Sequence, residues 1–200
     1  MLKRRNSQIW GGGKRWAQDT FEGGFPIVQT MVDVEVEAAD KVVAATTLAD
    51  GATTKLLAAS LTDPNEYRTL TITGNQATAT GAVVITGKDW AGRTIRETIT
   101  AVGASLVSGT LPFESLDNIV LPARGAGGDT ISVGVSSALG LYRPITVAGD
   151  IVLNERKASG ATEFSCEALP TAGVTGGTFV PATAIIAADS FKVSYLTDVF

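Results

Sequence analysis

From residue 27 onward, apolar and polar side chains alternate in short runs. Val32, Val34 and Val36 are interleaved with Asp33, Glu35 and Glu37, the period of two that sends successive side chains to opposite faces of a half-buried strand. The same reading predicts strands over 41–46, 53–58, 67–73, 82–86, 94–100, 105–108, 118–121, 130–135, 151–156, 163–168 and 191–195. Turn-forming clusters separate them: Asp50-Gly51, Asp63-Pro64-Asn65, Gly74-Asn75, Lys88-Asp89-Trp90-Ala91-Gly92, and 125–129. The one helical candidate, 55–60, is short and follows a threonine pair, so it reads as strand or irregular. Short strands at this spacing predict an all-β chain, an antiparallel β-sandwich or barrel.

Three consecutive runs, 67–75, 81–88 and 93–99, read as a meander. Leu70 and Ile72 share a face of the first run, and Val83 and Ile85 share a face of the second. Asp89 and Gly92 suit the tight turn into the third.

The first 26 residues break the pattern and predict an extended arm before a β-domain over 27–200, with a sub-boundary near 144–150. Lys3, Arg4, Arg5, Lys14 and Arg15 give the first 16 residues a charge of +5 with no acid, leaving −9 on the remainder of a chain whose net charge is −4. Trp10, Trp16, Phe21 and Phe25 lie in the same stretch, and rings of that size have little reason to sit on a freely solvated tail. The expectation is a partner-binding arm, with the four rings as anchors and the five cations meeting acidic neighbours. Nucleic acid is not the expected partner, because five charges without a folded basic face give mainly nonspecific contact. No secretory signal is read in 1–16, and the uncharged stretch 168–186 is a poor membrane span, broken by Pro170, Gly173, Gly176, Gly177 and Pro181.

With no histidine in 200 residues, imidazole-based nucleophile triads and His-ligated metal sites are excluded within one chain. The single cysteine, Cys166, makes no internal disulfide and reads as a small core residue sharing a strand face with Phe164 and Ala168. Gly11-Gly12-Gly13-Lys14 lacks the spacing and the following Ser or Thr of a phosphate loop, and Gly125-Ala126-Gly127-Gly128 opens no helix. Asp33, Glu35 and Glu37 on one strand face read as a solvated polar surface, against the alternatives of calcium ligands or a glycosidase pair. Glu155, Arg156 and Lys157 read as an exposed charged edge. No catalytic residue, metal ligand or cofactor is assigned.

Several motifs recur in a fixed order between 64 and 144. A strand ends in Thr73-Gly74-Asn75, a valine-rich strand ends in Thr86-Gly87, and Asp89-Trp90-Ala91-Gly92 turns into Glu97-Thr98-Ile99. Asp129-Thr130-Ile131-Ser132-Val133-Gly134-Val135 and Leu139-Gly140-Leu141-Tyr142-Arg143-Pro144 close the series. In this order they resemble a group of tailed-bacteriophage virion structural proteins. The resemblance implies a non-enzymatic component that works by contact, in the first place a capsid decoration (cement) protein of the virion, assembled in the host cytoplasm. Its implied partners are the major capsid protein and copies of itself as a homotrimer. A neck, tail or fibre component is the alternative within the same assembly. A carbohydrate-binding or adhesive β-module, with Trp90 stacking on sugar from a hairpin tip, is the alternative of another class.

Overall fold

The computed structural model describes residues 25–143, 145, 151–169 and 177–197. Among them, thirteen strands and one 3-10 turn, Ala58–Ser60, make up the regular structure, arranged in three antiparallel sheets. The chain is an all-β protein of packed sheets, as the period of two predicts.

One sheet has β12 (Thr178–Phe179), β9 (Thr130–Gly140), β4 (Arg68–Gly74) and β7 (Val107–Ser108) in that order, with β2 (Ala38–Thr47) also paired to β9. A second has β3 (Thr54–Leu57), β8 (Ser115–Leu121), β5 (Thr80–Lys88) and β6 (Thr94–Val102). Their facing residues form one core, in which Leu70, Ile72, Val83, Ile85, Phe113, Ile119, Leu121, Ile131, Val133 and Val135 are fully buried.

The third sheet has β1 (Phe25–Val34), β13 (Asp189–Thr197), β10 (Ile151–Lys157) and β11 (Ser165–Cys166). It closes over a second core of Met31, Val34, Phe179, Phe191, Val193 and Tyr195, to which Leu139 and Leu141 contribute from the end of β9 and just beyond. β9 therefore serves both cores: residues 131–135 enter the first and Leu139 the second. Arg68 lies near this changeover, fully buried, donating from one guanidinium nitrogen to the Glu35 carbonyl at 2.8 Å and from another to the Ser136 carbonyl. Burial pushes its pKa down to about 10, and Glu35, Glu37 and Glu66 oppose the shift, so it stays charged at neutral pH.

The topology corrects several sequence expectations. β5 and β6 form the expected hairpin in register from Thr80↔Val102 to Lys88↔Thr94, but β4 pairs with β9 and β7 in the other sheet, so 67–99 is not a meander. Asn75 explains the crossover. Its amide donates to Gly128 O and its side-chain oxygen accepts from the Thr130 N–H, so the chain after β4 is fastened to the loop before β9.

The Val32–Val34–Val36 alternation fails because β1 bulges. Asp33 has φ of 55°, the register shifts between Met31 and Val34, and Val34 is buried while Val32 and Val36 are exposed. Asp33, Glu35 and Glu37 therefore do not share a strand face. Cys166 is exposed, since β11 is a two-residue strand at the sheet's edge. Glu155, Arg156 and Lys157 are not an exposed edge: β10 runs between β13 and β11, and Arg156 is held in a buried cluster, 2.6 Å from Asp189 and 3.4 Å from Glu167.

Candidate functional site

Of the predicted contact residues, Lys3, Arg4, Arg5, Trp10, Lys14, Arg15, Trp16 and Phe21 lie outside the described residues. Phe25 opens β1 opposite Thr197. Trp90 sits at the tip of the β5–β6 hairpin and is 38% exposed.

Asp89 builds this tip. It is buried, and one carboxylate oxygen accepts from the N–H groups of Ala91 (3.0 Å) and Arg93 (2.9 Å). The other oxygen meets the Arg93 guanidinium, with Nε at 2.8 Å. Gly92 takes φ of 75°, a region open to glycine at little cost, and its N–H closes onto Asp89 O at 2.9 Å. Burial alone would raise the Asp89 carboxyl, but the Arg93 N–H, the Arg93 guanidinium and the Ala91 N–H together hold it below its ordinary value. The turn predicted from Asp89 and Gly92 is thus a loop wrapped around a carboxylate, with Trp90 at its tip.

Sequence reasoning missed the partner of Trp90. The Tyr142 ring lies 5.4 Å away, centroid to centroid, inclined at 39°, and Tyr142 is itself 40% exposed. Its position is set by Gln29, a buried amide in the middle of an otherwise apolar stretch of β1. Gln29 accepts from the Tyr142 N–H at 2.9 Å and from the Tyr195 hydroxyl at 3.3 Å, and donates to Gly140 O at 2.9 Å. A lone Gln between Val28 and Thr30 was the available signal, since a buried amide needs partners.

Acidic groups flank the two rings. Glu66 accepts from the Val32 N–H at 3.2 Å, and the Glu114 N–H donates to Lys88 O, which places residue 114 beside the hairpin stem. Burial raises the Glu66 carboxyl, aided by the charges of Glu114 and Asp33 against the pull of the Val32 N–H and Arg68. Tyr142 is raised by burial first, then by Glu114 and Glu66. The charges of Glu114 and Glu66 thus reach the Tyr142 hydroxyl.

The glycine-rich loop 125–128 binds inward. Both Asp129 carboxylate oxygens are taken, one by Gln76 Nε2 (2.5 Å) and Thr78 Oγ1 (2.7 Å), the other by the N–H groups of Gly125 (2.8 Å) and Ala126 (2.7 Å). The Thr78 hydroxyl is the largest influence, and with the Ala126, Gln76 and Gly125 donors it outweighs burial and holds the carboxyl down at about 2. A depressed folded-state pKa contributes stability that is fully present above the unfolded value near 3.8 and disappears as pH falls through about 2. Denaturant midpoints of the wild-type chain are accordingly expected to fall between about pH 4 and pH 2, and Asp129→Asn to flatten that fall while lowering the midpoint at pH 7. An acid profile unchanged by the substitution would remove Asp129 from the account.

Among the described residues no group of three or more His, Cys, Asp or Glu side chains is arranged to hold a metal ion. Glu35 pairs with Lys41 at 3.0 Å, and Glu37 points to solvent. A pocket of about 270 Å³ lined by Val36, Glu37, Ser137, Pro181 and Ile185 brings no pair of catalytic groups together.

The remaining surface feature is an edge. β1 lies at the end of its sheet, and residues 25–32 carry no charge, while Val28 and Val32 are exposed at 58% and 56%. The stretch 25–32 of this edge is a template for strand addition, up to the bulge and the exposed charge at Asp33. The weakly charged run 130–135 is not at an edge, since it lies in β9 between β2 and β4. The chain matches no protein-family model, no curated protein and no solved structure.

Proposed function

We propose that this chain is a non-enzymatic virion structural protein of a tailed bacteriophage, a capsid decoration protein that binds the major capsid protein through its arm and sheet edges and gathers as a homotrimer on the particle. The observation that carries the reading is the continuity of the basic, aromatic segment 1–24 with the uncharged residues 25–32 of β1, which lies at its sheet's edge among the described residues. An arm that continues into such a strand can add side-chain anchors to backbone pairing on the same partner. Several copies around one axis would multiply weak contacts, with avidity gains of about a hundredfold where geometry permits.

The adhesive reading draws on Trp90 and Tyr142. Their planes are inclined at 39°, so they do not make one flat platform for a sugar ring.

Electron cryomicroscopy of particles assembled with and without the protein tests the proposal. Added density in clusters of three on the outer shell is the expected result. Isolated copies without mutual contact, or six-membered rings along a tail, would reject the trimeric decoration model, the rings in favour of a neck or tail component.

A further inference from the structure

The aromatic tip and its acidic border form a surface whose chemistry has a complement within the chain itself. Trp90 and Tyr142 are each about two-fifths exposed; the Glu114 N–H on Lys88 O fixes residue 114 beside the hairpin stem, Glu66 accepts from the Val32 N–H, and both charges act on the Tyr142 hydroxyl. Arg93, on the far side of the hairpin turn from Trp90, is already bound to Asp89 at 2.7 Å. Such a patch suits a ligand that brings cations for the carboxylates and a further ring or guanidinium for the aromatic faces. Lys14-Arg15-Trp16 is a segment of that composition.

The connection also permits it. Gln29, which holds Tyr142 in place, is four residues along β1 from Phe25, about 13 Å in a strand. Eight residues, nine Cα-to-Cα steps, link Trp16 to Phe25 and span up to about 30 Å when extended, and Gly23-Gly24 immediately before β1 allows the chain to reverse. A tether of that length supplies an effective concentration on the order of millimolar, enough to populate a weak contact.

We propose that Lys14-Arg15-Trp16 folds back onto its own body and docks on this patch, the cations against Glu66 and Glu114 and the indole against Trp90 and Tyr142. Docking shelters the arm's rings in the free protein, and a partner takes up the arm by competing for it. The inference stands apart from the virion reading, since it concerns the isolated chain.

Limited trypsin digestion of the full-length protein tests it, with cuts after Arg5 and after Arg15 followed separately by mass spectrometry. Trp90→Ala and Glu114→Lys are each expected to speed the cut after Arg15 up to roughly fivefold relative to wild type, the equivalent of losing about 1 kcal/mol, and to leave the cut after Arg5 unchanged. Wild-type protection at Arg15 is expected to be independent of protein concentration and to weaken as salt is raised. Glu114 is exposed, so its replacement carries the test should Trp90→Ala disturb the hairpin, with circular dichroism as the check on folding. Unchanged Arg15 cleavage in both variants overturns the proposal. So does protection that grows with protein concentration, which assigns the patch to the arm of a second copy. No arm of the experiment uses a particle, so its failure leaves the decoration reading standing.

Discussion

Replacing Gly134 by valine is expected to abolish folding of the body. Gly134 lies in the middle of β9, opposite Thr71 of β4 on one side and beneath β2 on the other. A Cβ at this position would fall 1.8 Å from the Ala38 carbonyl oxygen and 2.5 Å from the Ala39 carbonyl carbon. Both are backbone atoms of β2, so no side-chain rotation relieves the clash. β2 would have to leave β9, uncovering Val42 and Val43, which pack into the first core. The cost is expected to exceed about 4 kcal/mol, a large fraction of the roughly 5–15 kcal/mol that stabilises a typical domain. Gly127→Ala is the control, since only the tip of Arg124 approaches a Cβ there, and its effect is expected within about 0.5 kcal/mol. Urea midpoints and circular dichroism of the two variants decide the matter. A Gly134→Val chain with a wild-type midpoint would show that β2 does not lie against β9 as described.

Removal of residues 1–24 is expected to abolish binding to the particle while moving the melting temperature by no more than about 4 °C. Ordering that many residues costs on the order of 1 kcal/mol each in backbone entropy, and Trp10, Trp16, Phe21 and Phe25 offset it only where they are buried. Docking of Lys14-Arg15-Trp16 alone is a contact of about 1 kcal/mol, which for a chain of this size corresponds to a shift of about 2–4 °C. Both cores are built from side chains of residues 27–195 that pack on one another, which is why the melting temperature is expected to change little. Co-sedimentation with particles and differential scanning calorimetry separate the two effects. Unimpaired co-sedimentation of the truncated protein would make the arm a spectator and shift the burden of contact to β1. A much larger drop in melting temperature would mean that the arm is part of the body's own fold.

What the amino-acid sequence determined by itself is local in origin. The period of two in 82–86, 94–100 and 191–195 specified strands because it specifies which side chains share a face. Asp89 and Gly92 specified their turn because a short carboxylate reaches N–H groups two and four residues on, and glycine accepts the positive φ. The start of the first strand was less legible, since the alternation was read from residue 27 whereas Phe25 and Pro26 already belong to β1.

Tertiary structure alone decided who pairs with whom. Periodicity names a face and not a neighbour, so β4 joining β9 instead of β5, and β1 joining β13 across the whole length of the chain, were not legible. Burial followed the same logic. Glu155, Arg156 and Lys157 look like a solvated edge until β11 covers one side of β10, and Cys166 looks like core until β11 proves to be the edge. Val36 alternates correctly yet is exposed, because the bulge at Asp33 ends β1 two residues earlier. The candidate site divides along the same line. Trp90 and its turn are written within five consecutive residues, whereas Tyr142, Gln29, Glu66 and Glu114 reach it from four distant segments, and only the packing of sheets whose strands are not neighbours in sequence brings them together.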